Sequence, residues 1–138
     1  MTKNEIISFM KANPICYLAT MEGNAPRVRA INIYKISEEE IIIQTNLTKD
    51  VTRQMSENPH IEMLFYDKHS VGKQVRVRGT LEPLTDPAII KKVIEDRPFL
   101  KSAAAQGRGP ALFRVNKPLA YVWSLETNYA PKNFIDLY

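Results

Sequence analysis

The sequence predicts a mostly β protein, an antiparallel barrel-like sheet flanked by helices. Three observations carry that expectation. About seven short stretches are rich in β-branched and aromatic residues, three helical stretches with capping signals lie between some of them, and the first strands are joined by short polar turns of hairpin type. A flat α+β sandwich is the alternative arrangement of the same elements.

A first helix reads from Thr2, whose hydroxyl can cap it while Glu5, three residues on, returns a bond to the cap. Ile6, Phe9 and Met10 then share one face, and Asn13 with Pro14 stops the helix. Ile15 to Met21 is a short apolar strand, Glu22 to Pro26 makes a turn, and Arg27 to Ile36 alternates over much of its length. After the polar Ser37, Glu38, Glu39 corner, the β-branched run from Ile41 to Thr45 gives a third strand. Thr48 reads as the N-cap of a short helix reaching about Glu57, with Val51 and Met55 one turn apart toward the core and Asn58 and Pro59 at its end. Ile61 to Tyr66 and Gln74 to Leu84 are the next strands, separated by a loop from Asp67 to Lys73. Asp86 at a cap and Pro87 at the first helical position open a helix with the apolar face Ile89, Ile90, Val93, Ile94, and Pro98 closes it. Between Lys101 and Pro110, Ala103 to Gln106 reads as a helical turn. Ala111 to Val115 and Ala120 to Leu125 read as two final strands, and the tail after Thr127 is expected to lie over the surface.

The length of 138 residues is that of a single domain, 1–138, and the 44% hydrophobic and 25% charged fractions argue against disorder, collagen or a coiled-coil rod. No uninterrupted apolar run approaches the roughly 18 residues that cross a bilayer, and Lys3, Asn4, Glu5 do not open a signal peptide, so a cytoplasmic location without a membrane partner is expected. The single cysteine, Cys16, can make neither an internal disulfide nor a cysteine-based zinc site. A net charge of +4 favours anionic partners: nucleic acid, acidic lipid or a phosphorylated small molecule.

Arg27 and Arg29 lie two apart on a strand, which puts both guanidinium groups on one face with Val28 and Ala30 on the other; Gln74, Arg76 and Arg78 repeat the pattern against Val75 and Val77. Either pair alone reads as a solvated ladder. If the two strands are neighbours, the arginines converge, and a planar fork of donors suits a phosphate. The run Gln44, Thr45, Asn46, Leu47, Thr48, Lys49, Asp50 ends a strand and begins a helix. By itself that is a plain helix start, but the free amides of the first turn, with the charge of Lys49, make an anion position. Gly107 and Gly109 precede Pro110 and a strand and lack the dinucleotide spacing. His60 and His69 stand in no metal-ligand spacing, and His60 reads as the start of a strand. Cys16 sits among Ile15, Tyr17 and Leu18 as a small buried hydrophobe, Glu38 to Glu40 read as a solvated turn, and Trp123 reads as core, although its ring is also what a planar cofactor needs beside it.

The hairpin CYLATMEGNAPRVRAINIY (16–34), the stretch IIIQTNLTKDVTRQMSENPHIEMLFYD (41–67) and the later QVRVRGTLEPL (74–84) resemble the pyridoxamine 5′-phosphate oxidase-like, flavin-binding split-barrel proteins. The order of elements matches from Ile6 to about Leu125. The resemblance implies a six-stranded antiparallel split barrel, a two-fold homodimer and one FMN at each end of the interface. By position it implies that Arg27, Val28, Arg29 and Ala30 run along the flavin, with the backbone near the ring and the side chains toward the phosphate. Thr45 and Asn46 would follow the ribityl chain, and Thr48 and Lys49 would hold the phosphate. Gln74 matches a family glutamine that contacts the ring, Arg76 lies nearby, and Trp123 is a further ring contact. The family's vitamin B6 oxidases carry a later segment with arginine and histidine that grips the substrate phosphate; here no arginine follows Arg114 and no histidine follows His69. The expectation is therefore an FMN-binding oxidoreductase other than a true pyridoxamine phosphate oxidase, taking hydride at the flavin and passing electrons from a small-molecule donor to a small-molecule acceptor. A flavin carrier or sensor without turnover is the second reading. A nucleic-acid-binding module using Arg27, Arg29, Arg76 and Arg78 is the third, and its basic strands lack the interleaved aromatics of single-strand platforms. A haem protein would have only the two histidines as ligands.

Overall fold

The computed structural model describes residues 1–69 and 72–138; residues 70 and 71, within the predicted Asp67–Lys73 loop, lie outside them. Helix α1 (Lys3–Ala12) carries the expected capping box, in which the Glu5 amide donates to Thr2 Oγ1 at 3.2 Å and the Thr2 amide to the Glu5 carboxylate. Ile6, Ile7 and Met10 are buried. Strands β1 (Ile15–Glu22) and β2 (Ala25–Asn32) form the first hairpin, followed by β3 (Lys35–Ile36) and β4 (Ile41–Asn46), helix α2 (Asp50–Glu57), β5 (His60–Tyr66) and β6 (Gln74–Leu84). Helices α3 (Pro87–Asp96) and α4 (Leu100–Ala105) then lead to β7 (Pro110–Trp123) and β8 (Ile135–Asp136).

Among the described residues these strands make one eight-stranded antiparallel sheet in the order β2-β1-β5-β6-β7-β4-β3, with β8 also on β7. The two ends of that order, β2 and β3, are consecutive in the chain, separated only by Ile33 and Tyr34. In a flat sheet they would stand six strand spacings apart, roughly 29 Å, yet the three Cα steps from Asn32 to Lys35 reach about 11 Å at most. The sheet must curl, and the flat sandwich is excluded: this is a curled half-barrel with flanking helices. Its concave face holds the main core, including Cys16, Leu18, Ile43, Met63, Phe65, Val75, Val77 and Ala120. A second cluster of Val93, Leu100 and Leu112 lies under α3 and α4.

Several expectations need correcting. The predicted Arg27–Ile36 strand breaks at Ile33, which turns into the core with its amide bonded to Pro14 O at 2.9 Å, and this break carries the chain across the open side of the barrel. The two predicted final strands are one strand, β7. It passes through Lys117 in the left-handed region (φ 48°) where its register with β6 shifts between Arg78 and Thr80. The extra residue is on β7, opposite Gly79, where a Cβ would meet Val115 Cγ1 at 2.8 Å and Asn116 O at 2.9 Å. The tail does not merely lie on the surface: β8 pairs with β7, and Leu137 is fully buried in the main core. Thr48 is not the cap of α2; Lys49 takes that position with no side-chain cap bond. The eight strands also exceed the six that the resemblance implies. Asp86 caps α3 by accepting from the Ala88 amide at 2.9 Å, with Pro87 at its first position, as expected.

Candidate cofactor site

Residues paired across antiparallel strands share a sheet face. Arg29 faces Leu18 and Arg27 faces Thr20, so both arginines point to the concave side, while Val28, opposite Ala19, and Ala30, opposite Tyr17, point outward. Arg27 is exposed and reaches Glu22 and its neighbour's carbonyl, Pro26 O. Arg29 is held firmly. Its Nη1 donates to Thr20 Oγ1 at 2.7 Å and Leu18 O at 3.2 Å, and its Nη2 donates to Gln54 Oε1 at 2.6 Å. Thr20 and Gln54 are themselves buried and bonded to each other at 2.7 Å. Burial pushes the Arg29 guanidinium below its ordinary value, and it remains charged. Thr20 and Gln54 occupy the Nη1/Nη2 end of the guanidinium. The Nε–H and the second Nη2 hydrogen, which form its other edge, have no acceptor among the described residues. That edge is the geometry an oxyanion takes in paired hydrogen bonds.

Helix α2 ties this group to β4. Gln54 Nε2 donates to Glu22 Oε2 at 3.1 Å and Arg53 to the same oxygen at 2.9 Å, bonds that hold the Glu22 carboxyl below its usual range. Thr52 is buried, donates to Asn46 O and lies 3.4 Å from the Thr45 hydroxyl. Thr45 is therefore buried against α2, with its hydroxyl on the helix. Asn46, Thr48 and Lys49 form one wall of a cavity of about 390 Å³, and Phe99, Ser102 and Arg108 from α4 and its flanks contribute to the other. Lys49 begins the helix and adds its charge to the positive end of the α2 dipole.

Gln74, Arg76 and Trp123 lie elsewhere. Gln74 pairs with Trp123 and Arg76 with Tyr121, on the outward face. Gln74 Oε1 accepts from Arg76 at 3.0 Å, and the Arg76 guanidinium stands 5.6 Å from the Tyr121 ring. Trp123 is half-buried, outside both core clusters, with its indole N–H on Asn128. The predicted convergence of the two arginine pairs does not occur within one chain. β1 and β5 separate β2 from β6, and Arg27 and Arg29 point to the opposite face from Arg76 and Arg78. The same division removes the single basic strip that a nucleic-acid reading needs. The outward face also carries Ile15, Tyr17 and Val28, which are 62%, 50% and 69% exposed.

Sequence reasoning missed Thr20, Gln54, Phe99, Ser102 and Arg108. The signal for Thr20 was present, since it continues the inward i, i+2 series of Cys16 and Leu18 with a polar group. Cys16 is buried as expected, its thiol pushed up to about 12 by desolvation, and His60 opens β5. Glu38 and Glu40 are used in ion pairs with Lys11, Lys35 and Arg114. Among the described residues no group of three His, Cys, Asp or Glu side chains is placed to hold a metal, and no helix is long and apolar enough to cross a membrane.

Comparison with known proteins places this geometry in a family. The chain is 30% identical over 82 residues to the pyridoxine/pyridoxamine 5′-phosphate oxidase of Psychrobacter sp. (strain PRwf-1), a match covering 59% of this chain and 37% of that protein, well under half of the relative's length. A NimC/NimA family protein from Clostridium acetobutylicum superposes with a TM-score of 0.74 at 25% identity, over 96% of this chain and 91% of the other. A FAD-binding protein from Mesorhizobium loti shares the fold, with a TM-score of 0.64 at 18% identity over 90% and 94% of the two chains. The family model described as pyridoxamine 5′-phosphate oxidase matches residues 2–117, which include every expected cofactor residue except Trp123; the chain belongs to that family.

Proposed function

We propose that this chain is a cytoplasmic, FMN-binding oxidoreductase that works as a two-fold homodimer and passes electrons from a small-molecule donor to a small-molecule acceptor. The observation that carries the reading is the Arg29 guanidinium, fixed at one end by Thr20 and Gln54 and open along the edge that grips an oxyanion. Lys49 and the start of α2 add a second source of positive charge. β2 is an edge strand paired only with β1 among the described residues, so backbone groups of Arg27 to Ala30 are open to a flat ring laid along that edge. The outward face supports the dimer. It carries exposed Ile15, Tyr17 and Val28 together with Gln74, Arg76 and Trp123, and a second copy laid on it both covers the apolar side chains and supplies ring contacts that one chain cannot bring to its own Arg29.

Bound FMN supplies two-electron hydride chemistry. The chain's own part is to neutralise the phosphate with Arg29 and Lys49, to align the ring along β2, and to exclude water with the apolar face. The test is the absorption spectrum of the purified protein before and after adding FMN and desalting, with chain mass in solution measured alongside. Retained oxidised-flavin absorption on a dimer is expected, and Arg29→Ala or Lys49→Ala should each weaken retention roughly tenfold or more. Retention by both variants equal to the parent's would overturn the site, and a parent that releases all added FMN would overturn the function.

A further inference from the structure

Arg97 caps the C-terminus of α3 and is used by nothing proposed above. Its guanidinium donates to Gln44 Oε1 at 2.7 Å and approaches the carbonyls of Ile33 at 3.3 Å and Asn32 at 3.4 Å, so it bridges the end of β2 and strand β4 across the open side of the barrel. A guanidinium has only donors, so Gln44 must turn its oxygen to Arg97 and its nitrogen the other way. There it donates to Thr45 O at 2.9 Å and to Asn46 Oδ1 at 3.1 Å. Asn46 must in turn show its oxygen to Gln44. Its amide nitrogen is left with no acceptor among the described residues, on a side chain that lines the cavity between α2 and α4. The polar side chains around that cavity, Thr48, Lys49, Ser102 and Arg108, include two cations and no carboxylate, and Arg108, which donates to Gln106 Oε1, comes from the segment after α4 whereas Lys49 begins α2.

We propose that the α3–α4 segment completes the phosphate site: Arg108 meets the flavin phosphate directly, and Arg97, acting through Gln44, holds Asn46 with its amide nitrogen toward the same group. Arg97 is thus a positioning residue. The proposal rests on the FMN reading, and FMN against riboflavin, which lacks the phosphate, is the probe pair.

Flavin titration of the parent, Arg108→Met and Gln44→Glu proteins tests it. Arg108→Met should lower FMN affinity roughly tenfold and leave riboflavin affinity within twofold. Gln44→Glu keeps an acceptor for Arg97 but places a second oxygen against Asn46, which must then reverse and offer its own oxygen to the phosphate. FMN affinity should fall at least as far, while riboflavin affinity holds; the oxygen that Glu also sets against Thr45 O is a cost to folding shared by both flavins. The loss should persist in high salt, where repulsion through solvent is screened. FMN affinities of both variants within twofold of the parent, or an equal loss of riboflavin, would overturn the proposal while leaving FMN binding intact. A parent that binds neither flavin removes the FMN reading itself.

Discussion

Gln54→Leu is the sharpest perturbation of the network behind the site. Gln54 is 3% exposed and serves three partners: it accepts from Arg29 and from the Thr20 hydroxyl, and donates to Glu22. Leucine fills a similar volume, so little cavity forms and the cost falls on the polar groups left behind. A hydrogen bond to a charged group contributes about 1.5–3 kcal/mol, and a buried hydroxyl stripped of its partner costs about 1 kcal/mol more. Arg29 is only half-buried and recovers part of this from water, which leaves about 3 kcal/mol, or roughly a 10 °C fall in melting temperature for a chain of this size. The assay is urea unfolding of flavin-free protein at one fixed concentration, since the proposed dimer would make stability depend on concentration. Thr20→Val should lose less alone, and the double variant should lose clearly less than the two losses added, because both residues belong to one network. Arg29 without its end-on anchors should also hold FMN less tightly. A stability loss below about 1 kcal/mol together with unchanged FMN affinity would show that Thr20 and Gln54 do not orient Arg29.

Two further outcomes follow from packing. Gly79→Ala places a methyl 2.8 Å from Val115 Cγ1 and 2.9 Å from Asn116 O at the β6–β7 bulge, where backbone cannot yield cheaply, and should destabilise by about 2 kcal/mol in the same unfolding assay; a neutral result would mean that the bulge is not fixed by this contact. Leu137→Ala removes a fully buried side chain that anchors the tail beside β7 and should cost about 2–3 kcal/mol, the low part of the usual range because a chain end can relax, whereas a loss under 0.5 kcal/mol would show the tail contributing nothing to the core.

The elements were legible because each is written locally. Thr2 and Glu5, or Asp86 and Pro87, specify a helix start within four residues, and the alternating runs specify strands. The errors came where a tertiary partner decided the outcome. Lys117 at positive φ would mark a break if Gly79 on the neighbouring strand did not make room for the bulge, and the polar tail carries a strand only because β7 offers a free edge beside Leu119 and Ala120. The site was half legible for the same reason. Alternation places Arg27 with Arg29, and Arg76 with Arg78, because it fixes which residues of one strand share a face. It cannot say whether two strands show their arginines to the same side of the sheet. That is settled by register: Leu18 stands opposite Arg29 on one side and Met63 on the other, Met63 stands opposite Val77, and so the inward residues of β6 are the valines. One row further along, the outward series Ala30, Tyr17, Leu64, Arg76, Tyr121 runs across β2, β1, β5, β6 and β7. The arginines read from sequence as one phosphate grip are thus two surfaces back to back, and a ligand that uses both requires a second chain. This makes dimerisation a condition of the flavin reading: a protein that stays monomeric yet holds FMN through Arg29, Lys49 and Gln74 alike would contradict the register on which the site is built.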